Sequence, residues 1–576
     1  SGYRLTRPID ALEVPETVQS VLAARIDRLP EREKQVLQTA AVIGKEFAEP
    51  VLAAVANLTE RDLAAALAAL CDAGFLHEES LYPVAAYAFA HPLTQEVALG
   101  SQLQDRRRRR HASVARAIEN LHAQRLDEKA ALLAHHFEEA AEPLEAARWH
   151  ARAAAWLGTR DIDETLRHWQ RVRELVRALP ETDETSELHL LACARTLSTG
   201  GFRLGLSPET VEELYEEGRA LAERSGNAQM LLSLRGAYGA WLFSLGRVRE
   251  ALEQTAETVR LADAVGLAET RASARVGAAY CRWAASRFAE ALAIAREGEA
   301  ITGGDLALGV ATAGFSALVF FVGFGASLHC LMGRLDEARV GLERAHRLAR
   351  ESGVPENLGW VRGTLSVLAE VSGELRFEGL GDATAAALDA LRIAEEIGSP
   401  FSRVVSYRSL GAVQLVAGEC AAAERSFAAA LQLMRERSTG LETEALNLGQ
   451  LSRALLGTGD AEGARRTAQE CVALARDRGQ PGMEIWGQIA LAGALGASAG
   501  PESAAAVAGA LARAEEIVLE IGFRAAAPWI VETRAEIARV RGDEATCQRE
   551  LQEAHRLFVE IGAVGHAERL RTRLAE

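Results

Sequence analysis

The residues closest to chemistry are the titratable ones that stand together. The stretch "LLAHHFEEAAEPLEAARWHARAAAWL", residues 132–157, carries His135, His136, Glu138 and His150, all of types that ligate metals. Its periodicity is helical, and adjacent residues on a helix point about 100° apart. His135 and His136 therefore cannot easily share an ion, the H-E-x-x-H spacing is absent, and no metal site is expected. "VIGKEF", residues 42–47, holds a Gly-Lys pair. A phosphate-cradling loop needs an earlier glycine at the right spacing and a Ser or Thr after the lysine, and this stretch has neither. Cysteines stand singly at 71, 193, 281, 330, 420, 471 and 547. No C-x-x-C pair suggests a disulfide framework or a zinc site, and a reducing cytoplasm is the simplest setting. With no paired nucleophile and base, no metal set and no phosphate loop, this segment is not expected to be an enzyme.

The strongest charge run is "DRRRRRH", residues 105–111. It continues into the helix-patterned "ASVARAIENL", so it reads as a solvated basic face or one set against an acidic neighbour. The net charge of −16 argues against direct nucleic-acid binding by the chain as a whole. Residues 306–333 contain no Asp, Glu, Lys or Arg, and by length alone could span a bilayer. Glycines interrupt the run, flanking cation clusters are missing, and it ends in "GRLDEAR". A helix buried in an array is expected there, with no membrane contact.

These residues must be positioned by helices. The chain is rich in Ala and Leu and poor in aromatics, which favours helix. A phrase recurs from residue 245 onward: a glycine or small residue, a polar residue, then Ala and Leu on helical spacing. It begins near Gly246, Ser286, Gly333, Gly381, Gly418, Gly459, Gly500 and Gly542. Most steps are 37–42 residues, with two longer ones of 47 and 48. Such a rhythm marks a solenoid of helix pairs, each stacking on the next to bury a face it cannot bury alone. Ala251, Leu252, Thr255 and Val259 show the apolar stripe. The pattern resembles tetratricopeptide repeats, with a period longer than the usual ~34 residues. The aromatic and Arg residues of the first helices, Trp241, Tyr280, Arg282 and Trp360, are the candidate partner contacts.

The first third differs. Pro30 resets the chain between two helices. Helices are expected over 31–43 and 48–56, and a third after Thr59, whose side chain can cap it together with Asp62. "FLHEES" and "YPVAAYAFAH" then read as two short strands. Three helices and a β-hairpin describe a winged helix. The third helix offers Glu60, Arg61, Asp62 and then alanines where base reading needs Arg, Lys, Asn or Gln. A role in protein packing is therefore expected. The fold class is mostly α: a small winged-helix domain followed by a right-handed α-solenoid of tetratricopeptide-like helix pairs. The expected divisions are residues 1–30 as a domain tail and linker helix, 31–100 as the winged-helix-like domain, 101–180 as connecting helices and first repeat-like pairs, and 181–576 as the solenoid.

Three phrases carry a family resemblance: "VPETVQSVLAARIDRLPEREKQVLQTAAVIGKEF" (14–47), "FAHPLTQEVAL" (89–99) and "LLAHHFEEAAEPLEAARWHARAA" (132–154). They resemble the C-terminal half of bacterial signal-transduction ATPases with numerous domains. In these a P-loop ATPase precedes a winged helix and a tetratricopeptide array, as in multidomain class III adenylate/guanylate cyclases and serine/threonine kinases. The resemblance implies a regulatory and sensing module that binds a protein or small effector on the solenoid and controls an upstream ATPase and output domain. It implies ATP/ADP and Mg as cofactors only with that ATPase domain, which this sequence lacks, so the chain is expected to be a fragment. It also implies that His91, in "FAHPL", contacts the β-phosphate of bound ADP. Two alternatives are the C-terminal part of a large ATPase-type transcription regulator and a stand-alone interaction scaffold. The expected location is cytoplasmic.

Overall fold

The structure, a computed structural model, describes residues 16–80, 82, 84–158, 160–497 and 503–575. The first half of the expected tail at 1–30, and the phrase start at Gly500, therefore lie outside the described residues. The chain forms two compact units. One comprises residues 1–156 with 168–189, the other residues 157–167 with 190–576.

In the N-terminal unit α1 (Glu16–Asp27) gives way to α2 (Glu31–Ile43) across Pro30, as proline's geometry requires. α3 (Glu49–Ala56) stops at Asn57, whose φ of 52° lies in the left-handed region. α4 (Glu60–Asp72) is capped by Thr59, whose hydroxyl accepts from the Asp62 N–H at 3.2 Å. Strands β2 (Leu76–Ser80) and β3 (Ala86–Phe89) follow. A third strand, β1 (Glu46–Ala48), was not expected from the sequence. It pairs antiparallel with β3, Phe47 opposite Tyr87, so the sheet order is β1-β3-β2. Leu37, Leu52, Leu67 and Leu70 fill the core beneath it with Phe47 and Phe89.

α5 (Pro92–Gly100), α6 (Gln104–Leu121), α7 (Leu126–Glu139) and α8 (Pro143–Leu157) continue this unit. Val114, Ile118, Leu133, Phe137 and Trp149 form their shared core. α9 (Ile162–Arg177) and α10 (Asp183–Gly200) follow.

The second unit is an α-solenoid. A π-helical turn (Gly201–Gly205) and α11 (Pro208–Ser225) lead into the repeat. The pairs are α12 (Ala228–Ser244) with α13 (Val248–Val265), and α14 (Ala268–Ala284) with α15 (Phe288–Thr302). After the short α16 (Val310–Ala313) come α17 (Ala317–Leu331) with α18 (Leu335–Ser352), and α19 (Pro355–Ser372) with α20 (Ala383–Glu396). Next are α21 (Pro400–Val416) with α22 (Cys420–Arg437), and α23 (Glu444–Thr458) with α24 (Ala461–Arg478). The last are α25 (Pro481–Ala497) with α26 (Ser503–Ile521), α27 (Ala527–Val540) with α28 (Glu544–Glu560), and finally α29 (Val564–Ala575).

The two long steps have structural causes. The loop holding α16 lengthens the first. A two-stranded hairpin of β4 (Arg376–Phe377) and β5 (Gly381–Asp382) lengthens the second. Gly381 belongs to this hairpin, and the turn that ends α19 is made by Gly373 at φ 77°. The apolar run at 306–333 becomes α16 and the buried α17. Among the described residues no helix is long and apolar enough to cross a membrane.

The array also touches itself at long range. Ser286 sits in the turn between α14 and α15 at φ 63°, where neighbouring repeats place glycine. Its Oγ accepts from the Gly482 N–H at 2.7 Å. Gly205 lies so close to the Arg437 carbonyl that a Cβ would fall 1.6 Å from its oxygen. Phe288 packs edge-on against Phe523 at 5.3 Å, and the His566 Nε2 lies 2.9 Å from the Glu370 carbonyl oxygen. Each contact joins residues about 190–240 positions apart, close to five repeats.

Candidate functional site

The first helices of successive pairs leave a cavity of about 590 Å³ inside the second unit. That volume is in the range of sites that enclose a drug-sized ligand. Its walls are largely apolar and carry several aromatics: Phe243 on α12, Tyr280 and Trp283 on α14, Phe320 and Phe324 on α17, and Trp360 on α19. Tyr280 and Trp283 stack with centroids 5.2 Å apart and planes inclined by 3°. Small residues such as Gly236 and Gly277 keep the space open, and a Cβ on Gly236 would meet nothing within 4 Å.

A polar chain runs along one wall. Arg203, on the π-helical turn, donates to the Glu356 carboxylate at 3.0 and 3.3 Å and to the Ala313 carbonyl at 2.8 Å. The Ser402 hydroxyl donates to Glu356 at 3.2 Å, and the Trp360 Nε1–H donates to Ser402 at 3.3 Å. The ion pair is buried, with side-chain exposures of 4% and 0%. Its partners are 153 residues apart, so no local pattern announces it. The one sequence sign is the charged Glu356 in "PEN", opening a mostly apolar helix.

Other charges at the cavity are also answered. Glu370 pairs with Arg453 at 3.1 Å, and Arg195 feels the charge of Glu269. Beneath Tyr280 lies Glu442, fully buried, its carboxyl oxygen 3.5 Å from the Tyr280 hydroxyl. Burial pushes the Glu442 carboxyl up to about 8, partly offset by a backbone hydrogen bond and by the charges of Arg408 and Arg478.

The four candidate contacts separate. Tyr280 and Trp360 line the cavity. Trp241 is 0% exposed and packs in the core with Leu197 and Leu234, so it cannot touch a partner here without rearrangement of that core. Arg282 turns outward to Glu290 at 3.5 Å.

In the N-terminal unit the four candidate metal ligands divide into two groups. His136 is buried and faces His111 on α6, their Nδ1 atoms 3.0 Å apart, while His135 is exposed. His150 faces His168, with Nδ1 atoms 2.7 Å apart, and its Nε2 contacts Glu138, which Arg171 holds through both carboxylate oxygens. Sequence spacing could not reveal His111 and His168, because each comes from another helix. Within the arginine run, Arg106, Arg108 and Arg109 are exposed, and Arg110 turns in to Gln38 and Gln102.

His91 is the N-cap of α5, its Nδ1 accepting from the Leu93 N–H at 3.1 Å. The ring is exposed, so Nε2 is presented outward. Asparagine is also a strong N-cap, whereas alanine forfeits about 1 kcal/mol. His91→Ala is therefore expected to lower the stability of the N-terminal unit by about that amount and His91→Asn to leave it unchanged, as read by thermal melting.

The fold thus defines a mostly α chain whose larger unit is a solenoid of tetratricopeptide-like helix pairs around a cavity with aromatic walls. No protein-family model matches the chain. It is 26% identical over 226 residues to an uncharacterized protein of Rhizobium meliloti (strain 1021), a stretch that is 39% of this chain and 22% of that protein's length. A signal transduction ATPase with numerous domains and a tetratricopeptide repeat sensor, from Pyrococcus horikoshii, superposes over 87% of this chain and 66% of its own, with TM-score 0.40 and 12% identity. A Rap protein bound to Competence and Sporulation Factor superposes over 74% of this chain and 99% of its own, with TM-score 0.35 and 12% identity. The aspartyl phosphate phosphatase F of Bacillus subtilis superposes over 59% of this chain and 86% of its own, with TM-score 0.39 and 12% identity.

Proposed function

We propose that this chain is the regulatory and sensing half of a multidomain signalling ATPase. The solenoid takes a small effector or a short segment of a partner protein into its cavity. The helices and three-stranded sheet of the N-terminal unit, read as a winged helix, then carry the bound state to an ATPase that gates a cyclase or kinase. The observation that carries this reading is the aromatic cavity, whose size and walls suit an enclosed ligand. A ligand can bias such a switch only by its differential affinity for the two states.

The test begins with the native coding region. A P-loop motif is expected within roughly 250 residues upstream of Ser1. In that full-length protein Gly236→Trp, which places an indole in the cavity, is expected to change ATP hydrolysis several-fold. Absence of the motif, or hydrolysis indifferent to Gly236→Trp, overturns the reading. His91 belongs to the same proposal as a contact to the β-phosphate of ADP. His91→Asn keeps the cap yet removes Nε2, so it is expected to raise basal output in the full-length protein. Unchanged output and unchanged ADP affinity would leave His91 a cap alone.

A further inference from the structure

Among the described residues, the cavity wall carries one cation that the protein does not answer. Arg408, on α21, makes no hydrogen bond or ion pair among the described residues, and its Nε is buried without an acceptor. The side chain is half-buried: Nε forgoes water without gaining a partner, while the two terminal nitrogens stay open to solvent or a ligand. The other charges at the cavity are compensated: Arg203 by Glu356, Glu370 by Arg453, and Arg195 by the nearby Glu269. Glu442 feels the charge of Arg408 but makes no ion pair with it. The charge left for a ligand is therefore positive, set among neutral polar, aliphatic and aromatic side chains.

We infer that the cavity binds an apolar, ring-bearing monoanion, its carboxylate received by Arg408 and its ring packed among Tyr280, Trp283, Phe324 and Trp360. This deepens the effector reading above and rests on it. Guanidinium and carboxylate match as paired donors and acceptors, and enclosure away from water strengthens the contact. With burial holding the Glu442 carboxyl mainly protonated at neutral pH, the Arg408 charge stays available to the ligand.

The test uses two fluorescent probes of similar shape, anionic 8-anilinonaphthalene-1-sulfonate and uncharged N-phenyl-1-naphthylamine, titrated into the full chain. Arg408→Gln is expected to weaken the anion at least tenfold and to leave the uncharged probe within twofold. Arg408→Lys is expected to keep much of the preference, and Gly236→Trp to abolish binding of both. In the unaltered chain 4-phenylbutyrate is expected to displace the anionic probe and its neutral amide to fail. Equal loss of both probes in Arg408→Gln, no loss of either, or equal displacement by acid and amide overturns the anion assignment while the cavity stands. Both probes still binding to Gly236→Trp overturns the cavity reading and this inference together.

Discussion

Acidification from pH 7.5 to pH 5 is expected to cost the N-terminal unit about 4 kcal/mol, divided between His111 and His136. Both rings are buried, at 2% and 1% exposure, with Nδ1 atoms facing each other and neither Nε2 hydrogen-bonded. In the neutral pair one Nδ1 donates and the other accepts. Protonating both would set N–H against N–H with no water to take up the charge. Burial, then the nearby His135 and Arg107, brings His111 down to about 4. Burial, then His111 and His135, brings His136 down to about 3.

An unfolded histidine takes its proton near 6.5, so below that pH the unfolded chain binds more protons than the folded one. Stability is therefore full above about pH 6.5 and falls as the solution is acidified toward 4 and 3, where the folded rings finally titrate. At pH 5 each ring has cost about 2 kcal/mol. Hydrogen-exchange protection of the α6 and α7 amides, compared at the two pH values, reads the loss in this unit alone. His136→Gln does not titrate and should remove about half of the slope. An unchanged slope in that variant would show that these rings are not its source.

Arg203→Met is expected to destabilise the solenoid by about 3–5 kcal/mol, the cost of leaving a buried carboxylate without its counter-ion. Glu356 would keep only the Ser402 hydroxyl, and the Ala313 carbonyl would lose its donor as well. Methionine keeps an apolar stem but is shorter and lacks the planar head that lies 4.5 Å over the Phe202 ring, so some lost packing adds to the cost. The discriminating variant is the double substitution Arg203→Met/Glu356→Gln. Removing the stranded charge is expected to recover most of the loss, because the pair itself is worth much less than either half alone. Urea midpoints of the two variants check this. A single variant costing under about 1 kcal/mol would mean that water reaches the pair.

Helix positions were legible in the sequence because capping and periodicity are local. Thr59, Pro30 and the glycines near 418, 459 and 542 each act within one turn of the chain, so their spacing translates directly into helix pairs. Strand β1 was not legible: three residues are too few to show alternation, and only its partner β3 makes it a strand. Gly381 matched the recurring phrase but lies in a hairpin, since an eight-residue excursion after Gly373 preserves the look of a repeat start.

The cavity was half legible. Tyr280 and Trp360 were found as aromatics on first helices. Trp241 has the same signature but sits at a position where α12 turns its side chain into the core. Arg408, Glu356 and Glu442 carry no such mark. What distinguishes each is the partner it has or lacks across more than a hundred residues or across a cavity wall, and a linear pattern does not contain that information.

In an open array each repeat meets only its neighbours, and folding can start anywhere and spread like a zipper. The contacts of Ser286 with Gly482 and of Gly205 with Arg437 impose another order of events. Residues some two hundred positions apart must find each other, and that closure has to be met in entropy before the contact gives anything back. Such a chain folds late and as a block, on a timescale set by its most distant pairings more than by its helices. A growing chain that has emerged only as far as α20 holds the Gly205 and Ser286 turns without the residues that cover them. Over that interval the half-built coil presents its inner edge to solvent, and the nascent protein depends on the arrival of α22 through α25 to close it.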